Sequence, residues 1–222
     1  MPWNYVRLEY EGMMRLSAGK GYPLLWLTPS MLRASPDLKL YEGFPWHGIK
    51  LHGYNGWDPS GKPINRVLHL AKEYCLPVML HTGGRPCCEA GRYLRICRSF
   101  SEVPFVLAHG RPIQEAIHVL RECENTWVDT AFMPLTDVVR LINEGLGDRI
   151  VYGTDLPAPA CFLASSVVRY VKRRLKRIKE ISGPLWRKIS YENAACIYSA
   201  RVLTLGNETK GVSLQHQRGI NL

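Results

Sequence analysis

Three side chains able to grip a cation or move a proton share one local setting in this chain. His81 closes the apolar run Val78-Met79-Leu80 and is followed by Thr82, Gly83 and Gly84. His109 closes FVLAHG (105–110), and Asp155 closes RIVYGTD (149–155). Imidazole nitrogen and carboxylate oxygen are both metal-competent, and a carboxylate can also take a proton from water. The glycine pair after His81 lets backbone approach a ligand closely. Each apolar run reads as a buried strand. Three strands that each end in such a group point to one site built from several parallel strands.

The elements that must position these groups follow from periodicity. Strands are expected at 24–28, 48–52, 78–81, 105–109, 126–130 and 150–154. Helices are expected over 63–75, 93–100, 112–122 and 136–144, then through the basic segment, then over 184–205 with a break near Ser190. Alternating strand and helix demands a parallel sheet with helical cover, and groups at the carboxyl ends favour a (β/α) barrel over a doubly wound sheet. In GIKLHGY (48–54) alternation puts Ile49 and Leu51 on one face and Lys50 and His52 on the other. An inward lysine is costly unless paired or modified. Trp57 and Asp58, in the following loop, could line a pocket mouth or lie in the loop without touching a ligand. Arg85, just past the glycine pair, and Arg111, just past His109-Gly110, could bind a substrate carboxylate or lie in surface loops. Asp129 alternates with Trp127 and points inward, as a partner to a neighbouring ligand or as a structural hydrogen-bond acceptor. His47, His69, His118 and His216 are expected to be exposed. No Ser/His/Asp triad, phosphate-binding loop or GxGxxG stands out.

At 222 residues the chain can bury one substantial core, so a single domain over 1–205 with a polar tail at 206–222 is expected. Mean hydropathy of −0.15 fits a globular protein, and no apolar run approaches the ~20 residues that span a bilayer. Residues 1–20 carry charges without an apolar segment of the secretory kind, so a cytoplasmic location and no membrane partner are expected. Seven cysteines without CxxC spacing read as buried reduced thiols. The net charge of +10 is concentrated in Arg169, Lys172, Arg173, Arg174, Lys176, Arg177 and Lys179. This is read as a solvated helix face rather than a nucleic-acid site, with Val168, Leu175, Ile178 and Ile181 turned inward.

Taken together, GIKLHG, LPVMLHTG, PFVLAHG, NTWVDTAF, DRIVYGTDLP and ISYENAACIY, in that order, resemble the amidohydrolase superfamily. The branch they look like is the amidohydrolase-related group that includes aminocarboxymuconate-semialdehyde decarboxylase-like enzymes, over about residues 23–200. The resemblance implies a distorted TIM barrel holding a divalent metal, often zinc, at its carboxyl end. By carry-over His81 is the strand-five ligand and Asp155 the strand-eight ligand and general base. His109, on strand six, is a ligand or a group that polarises substrate and water. Lys50 lies where some members carry a metal-bridging carboxylated lysine; here Lys50, His52, Arg85 and Trp57 are assigned to substrate. The family's first strand carries an HxH pair of ligands, and no HxH occurs in these 222 residues. An incomplete barrel is therefore expected: about six parallel strands, family strands one and two missing, the chain N-terminally truncated. The strands at Leu24 and Val151 would be open edges through which copies could associate. The implied function is a metal-dependent hydrolase whose activated water attacks a C–N, C–O or lactone bond of a small molecule, or a decarboxylase at the same site. The alternative is an inactive scaffold that lacks the HxH ligands and acts by association.

Overall fold

The apolar runs become six short strands: β1 (Leu24–Leu27), β2 (Gly48–Leu51), β3 (Val78–His81), β4 (Phe105–Ala108), β5 (Thr126–Asp129) and β6 (Ile150–Val151). The computed structural model describes residues 11–12, 14–15, 21–39, 46–163 and 166–198. All six strands pair parallel and in chain order, β1 to β6, in one sheet. Sequential parallel order is the order of a barrel wall, so this is an α/β fold forming an incomplete (β/α) barrel.

Between the strands run α1 (Pro29–Ala34), α2 (Lys62–Glu73), α3 (Leu94–Ser99), α4 (Ile113–Glu122) and α5 (Leu135–Asn143), and after β6 come α6 (Ala158–Leu163), α7 (Val167–Ser182) and α8 (Asn193–Tyr198). Pro29 opens α1, where the Thr28 side chain accepts from Met31 N–H. In α2, Ile64, Val67, Leu68 and Ala71 fall on one stripe and are all buried. Ile113, Ala116, Ile117 and Leu120 do the same in α4. These stripes pack on the outward sides of Leu27, Ile49, Val78, Leu80, Phe105, Leu107 and Val128, forming the main core. The inner face of the sheet has its own smaller cluster, in which Ile197, Ala194 and Tyr198 of α8 pack against Val106, Val151, Met79 and Trp127. The last helix thus fills part of the barrel interior.

Several expectations are corrected. β6 is two residues long, because beyond Val151 the backbone bonds elsewhere. Tyr152 N–H donates to Ile189 O at 2.8 Å and Gly153 N–H to Thr130 Oγ1 at 3.1 Å. A π-helical turn, Lys188–Glu192, therefore covers the β6 edge that was expected to be open, and it marks the break expected near Ser190. Among the described residues β1 has no partner strand on its outer side. In α7, Ile178 is buried, but Val168 and Leu175 are exposed. The cation that turns inward is Arg174, whose Nη2 donates to Thr130 O and Met133 O. Only Cys88, Cys97 and Cys123 are buried; Cys75, Cys87, Cys161 and Cys196 are exposed, and all seven are free. Among the described residues no helix is long and apolar enough to cross a membrane. The tail at 206–222 lies outside the described residues.

Asn125 ties α3 to β5. Its Nδ2 donates to Cys97 O at 3.1 Å, Phe100 O at 3.0 Å and Val103 O at 2.9 Å. Cys97 O lies in the last turn of α3, where carbonyls lack an intrahelical donor, and Phe100 O and Val103 O belong to the turn that follows. Replacing Asn125 with alanine should cost about 1–3 kcal/mol, read as a melting temperature lower by about 3–10 °C. A melting temperature equal to wild type would show that solvent replaces all three bonds.

Candidate active site

Each candidate side chain leaves the sheet at a carboxyl end, on the inner face. Lys50, alternating with buried Ile49 and Leu51, points to that face, and His52 follows it. His81 is the last residue of β3; His109 and Asp155 follow β4 and β6. Both His109 (φ 73°) and Asp155 (φ 55°) adopt left-handed backbone, a conformation costly for side-chain-bearing residues and concentrated at functional sites. Gly83 and Gly84 have φ of 87° and 81°. A Cβ on Gly84 would lie 2.2 Å from Tyr54 Oη, so the turn after His81 needs glycine for space as well as for conformation.

The rings come together. His81 stacks on His52 with centroids 3.8 Å apart and planes at 15°. Trp26 stacks on His52 at 5.7 Å, and His109 meets His81 edge-on, 4.9 Å away at 75°. Tyr54 stands against both His52 and His81, and the Arg85 guanidinium lies 4.7 Å over the Tyr54 ring. Two imidazoles stacked face to face cannot both aim ring-plane lone pairs at one ion, whereas the crossed planes of His81 and His109 can.

Hydrogen bonds assign the tautomers. His109 Nδ1 lies 3.0 Å from Ala131 O; a carbonyl only accepts, so Nδ1 carries a proton, and in the neutral ring the lone pair sits on Nε2. His52 Nδ1 accepts from Tyr54 N–H at 3.3 Å, which leaves its Nε2 as the donor. Behind His109, Asp129 Oδ1 accepts the N–H of His109 at 3.0 Å and of Ala131 at 2.9 Å. Thr82 Oγ1 donates to Ala108 O at 2.6 Å and accepts from Arg111 N–H at 2.9 Å, joining the ends of β3 and β4.

Burial governs the charges. It pushes the Lys50 ammonium's pKa down, and the carboxylates of Asp129 and Asp155 pull it back up. It pushes the Asp129 carboxyl up, against the pull of His109 and Lys50. Asp155 also acts on His52, whose pKa burial and Lys50 lower. Lys50, Asp129, Asp155 and the imidazoles therefore share one electrostatic neighbourhood. His81 is lowered to about 3, first by burial and then by His52 and His109, so it is a neutral ligand-type imidazole at neutral pH.

That shift predicts a pH dependence. Between about 6.5, the unperturbed value, and about 3, the unfolded chain binds a proton at His81 that the folded chain does not. The stability is complete above about pH 6.5 and is lost as pH falls toward 3. The urea midpoint of the metal-free protein should drop between pH ~7 and ~5, and less steeply in His81→Gln. His52, shifted the same way, accounts for slope that remains.

The sequence-predicted residues fare differently. The rings of His52, His81 and His109 touch in sequence, and the charges of Lys50 and Asp155 act on that group from nearby. Arg85 and Arg111 line an adjacent open groove of about 470 Å³ floored by Gly83 and Gly84. Trp57 does not line the mouth: it is 3% exposed, in the main core, and its Nε1 donates to Leu27 O. Its apolar bulk is buried and its one polar atom satisfied under β1. His69 and His118 are exposed, His47 is half-buried against Tyr22, and His216 lies outside the described residues. Three residues were missed. Trp26 alternates with buried Leu25 and Leu27, a pattern that placed it on the inner face. Tyr54 carried no signal beyond following His52. Tyr198 has a buried hydroxyl without a hydrogen-bond partner, and its acidity is further reduced by Asp129.

Among the described residues no group of three or more His, Cys, Asp or Glu is placed so that it could hold a metal ion. The donor chemistry fits a divalent cation in part: two imidazoles with crossed planes, of which His81 is kept neutral by burial and His109 turns its Nδ1 to Ala131 O.

A family model described as amidohydrolase matches residues 46–199. No curated protein matches the sequence. Solved structures share the fold. Amidohydrolase 2 from Bifidobacterium longum subsp. infantis superposes with a TM-score of 0.54 at 16% identity, over 70% of this chain and 62% of its own. An amidohydrolase from Burkholderia multivorans with bound zinc gives 0.63 at 14% identity, over 87% and 79%. A probable 2-pyrone-4,6-dicarboxylic acid hydrolase from Acinetobacter baumannii, with citric acid bound, gives 0.58 at 13% identity, over 84% and 76%. The chain thus spans 62% of the length of the Bifidobacterium protein.

Proposed function

Because this chain belongs to the amidohydrolase family, we propose that it carries a metal-dependent hydrolase or lyase site for a small molecule, at the mouth formed by His81, His109 and Asp155. The observation that carries this reading is the crossed pair His81 and His109, 4.9 Å apart, with one imidazole neutral by burial and the other presenting a free Nε2. These two and Asp155 would hold a divalent ion, zinc by donor type, which supplies Lewis-acid charge and makes water acidic near neutral pH. Zinc bound in the Burkholderia amidohydrolase supports that choice of ion.

The remaining work falls to the chain. Asp155 takes the proton from the attacking water and returns it to the leaving group of a C–N, C–O or lactone bond. Because His109 Nδ1 is committed to Ala131 O, its Nε2 acts as a ligand rather than as a hydrogen-bond donor. Donation to the developing oxyanion then passes to His52 Nε2–H and to Lys50. Arg85 and Arg111, on the neighbouring groove, orient a substrate carboxylate, a reading supported by the citric acid held by the Acinetobacter protein. Decarboxylation at this mouth would use the same groups without the water. Residues 1–205 form the catalytic domain and 206–222 a tail; free cysteines support a reducing, cytoplasmic setting; copies associate through the β1 edge.

A second reading, an inactive scaffold acting by association, is favoured by one observation: the described residues hold no closed three-donor set. Zinc titration together with hydrolase and decarboxylase substrate panels separates the two. Catalysis is expected with one ion bound. A stoichiometry below ~0.2 per chain after growth with added zinc would leave the scaffold reading standing.

A further inference from the structure

Beside the candidate site, two sulfurs touch. Cys87 and Cys88 are adjacent in a 3₁₀ turn, Pro86–Cys88, and their Sγ atoms lie 3.7 Å apart. Cys87 is exposed and Cys88 buried, so an oxidant reaches one sulfur while the other waits behind it. Among the described cysteines Cys87 is the exposed one whose sulfur contacts another. Cys97 and Cys123 also influence one another, but both are buried, which keeps oxidants away.

The turn is tied to both halves of the mouth. Cys88 O accepts from Gly83 N–H at 2.7 Å, and Cys88 N–H donates to Arg85 O at 2.9 Å. The Cys88 sulfur rests on Gly53, the residue after His52, so closely that a Cβ there would lie 2.5 Å from it. Tyr93, whose charge state senses both thiols, donates to His81 O at 3.3 Å.

We propose that Cys87 and Cys88 are a vicinal dithiol that hydrogen peroxide converts to a disulfide, and that closing this bond displaces the Gly53 and Gly83 turns holding His52 and His81. The Cys87 thiolate attacks peroxide, taking one oxygen as sulfenic acid while the other leaves as water. The Cys88 thiol then displaces the sulfenic hydroxyl, which departs as a second water, and the S–S bond forms. Two thiols lose two electrons and two protons; one peroxide becomes two waters. The sulfurs must close from 3.7 Å to about 2.05 Å, which draws Cys88 away from its seat on Gly53. Adjacent Cα atoms are only about 3.8 Å apart, below the usual disulfide span, so the ring is strained and reopens readily with a thiol reductant.

The test treats the full chain with hydrogen peroxide and follows intact mass, peptide mapping and amide NMR signals. The expected result is a loss of about 2 Da mapped to residues 86–92, reversed by dithiothreitol and absent in Cys87→Ser. Gly53 and Gly83 amide signals should shift with it. In Cys87→Ser, a change at an exposed position, these signals should stay put under peroxide. Phenylarsine oxide, which bridges paired thiols, should bind wild type one to one and Cys87→Ser not at all. Stable oxygen addition on Cys87 of about 32 or 48 Da, or a bond from Cys87 to any other cysteine, would overturn the proposal. A mapped Cys87–Cys88 bond that leaves Gly53 and Gly83 unmoved would overturn its coupling to the site.

Discussion

Replacing Asp129 with alanine is expected to lower the melting temperature by about 6–20 °C, the largest loss of stability among the site residues. The carboxylate is buried, and one of its oxygens receives the N–H groups of both His109 and Ala131. Removing it leaves two buried donors unpaired, at about 1–3 kcal/mol each. It also leaves Lys50 without the stronger of the two carboxylate influences that favour its ammonium form. A cost of about 3–5 kcal/mol follows from the two unpaired donors together. The local effect is sharper than the global one. His109 is held in left-handed backbone by that bond to its own N–H, so the imidazole loses its aim as well. Asp129→Asn keeps an oxygen for the two N–H groups while exchanging the second oxygen for an uncharged NH2, and should retain more than half the stability lost in the alanine variant. Equal melting temperatures for Asp129→Ala and wild type would mean that water enters and satisfies both donors.

The second large effect is on ion binding. His81→Ala and His109→Ala should each weaken zinc binding by about 100-fold or more, a larger loss than removal of an outer partner brings, and should lower any hydrolytic rate in step. His52→Ala should weaken zinc binding by less than about tenfold. Its Nδ1 already accepts from Tyr54 N–H, and its plane is stacked 3.8 Å from that of His81, so it cannot share the ion with that ring. Calorimetric titration of the three variants distinguishes a site centred on the crossed pair from one centred on the stacked pair. Equal affinities across wild type, His81→Ala and His109→Ala would end the metal reading. His81→Ala should remain folded, because a half-buried neutral ring gives up about 0.5–1.5 kcal/mol of ring contact.

Much of this arrangement could be read along the chain. The buried stripe Ile64, Val67, Leu68 and Ala71, and the in-out alternation around Lys50, are repeats over four to eight residues, and burial follows them directly. That groups at strand ends would meet also followed, because parallel strands place all their carboxyl ends on one side. The failures have a common origin. Trp57 looked like a loop residue near a ligand, yet the backbone carbonyl that satisfies its indole comes from Leu27, thirty residues earlier. Val168 and Leu175 sit at core spacing but face solvent, while Arg174 turns inward to two carbonyls more than forty residues away. β6 stopped short because Ile189 supplied an acceptor that no local pattern announces.

Residue order alone was enough to specify six parallel strands and their helical cover, since these depend on short-range periodicity and on the geometry of parallel pairing. Folding in three dimensions settled which imidazoles cross and which stack, which nitrogen keeps its lone pair, and that Asp129 anchors His109. Those features rest on partners some twenty to thirty positions apart, where a change of an ångström or of one ring angle decides between ligand and neighbour, and a linear pattern carries no such information.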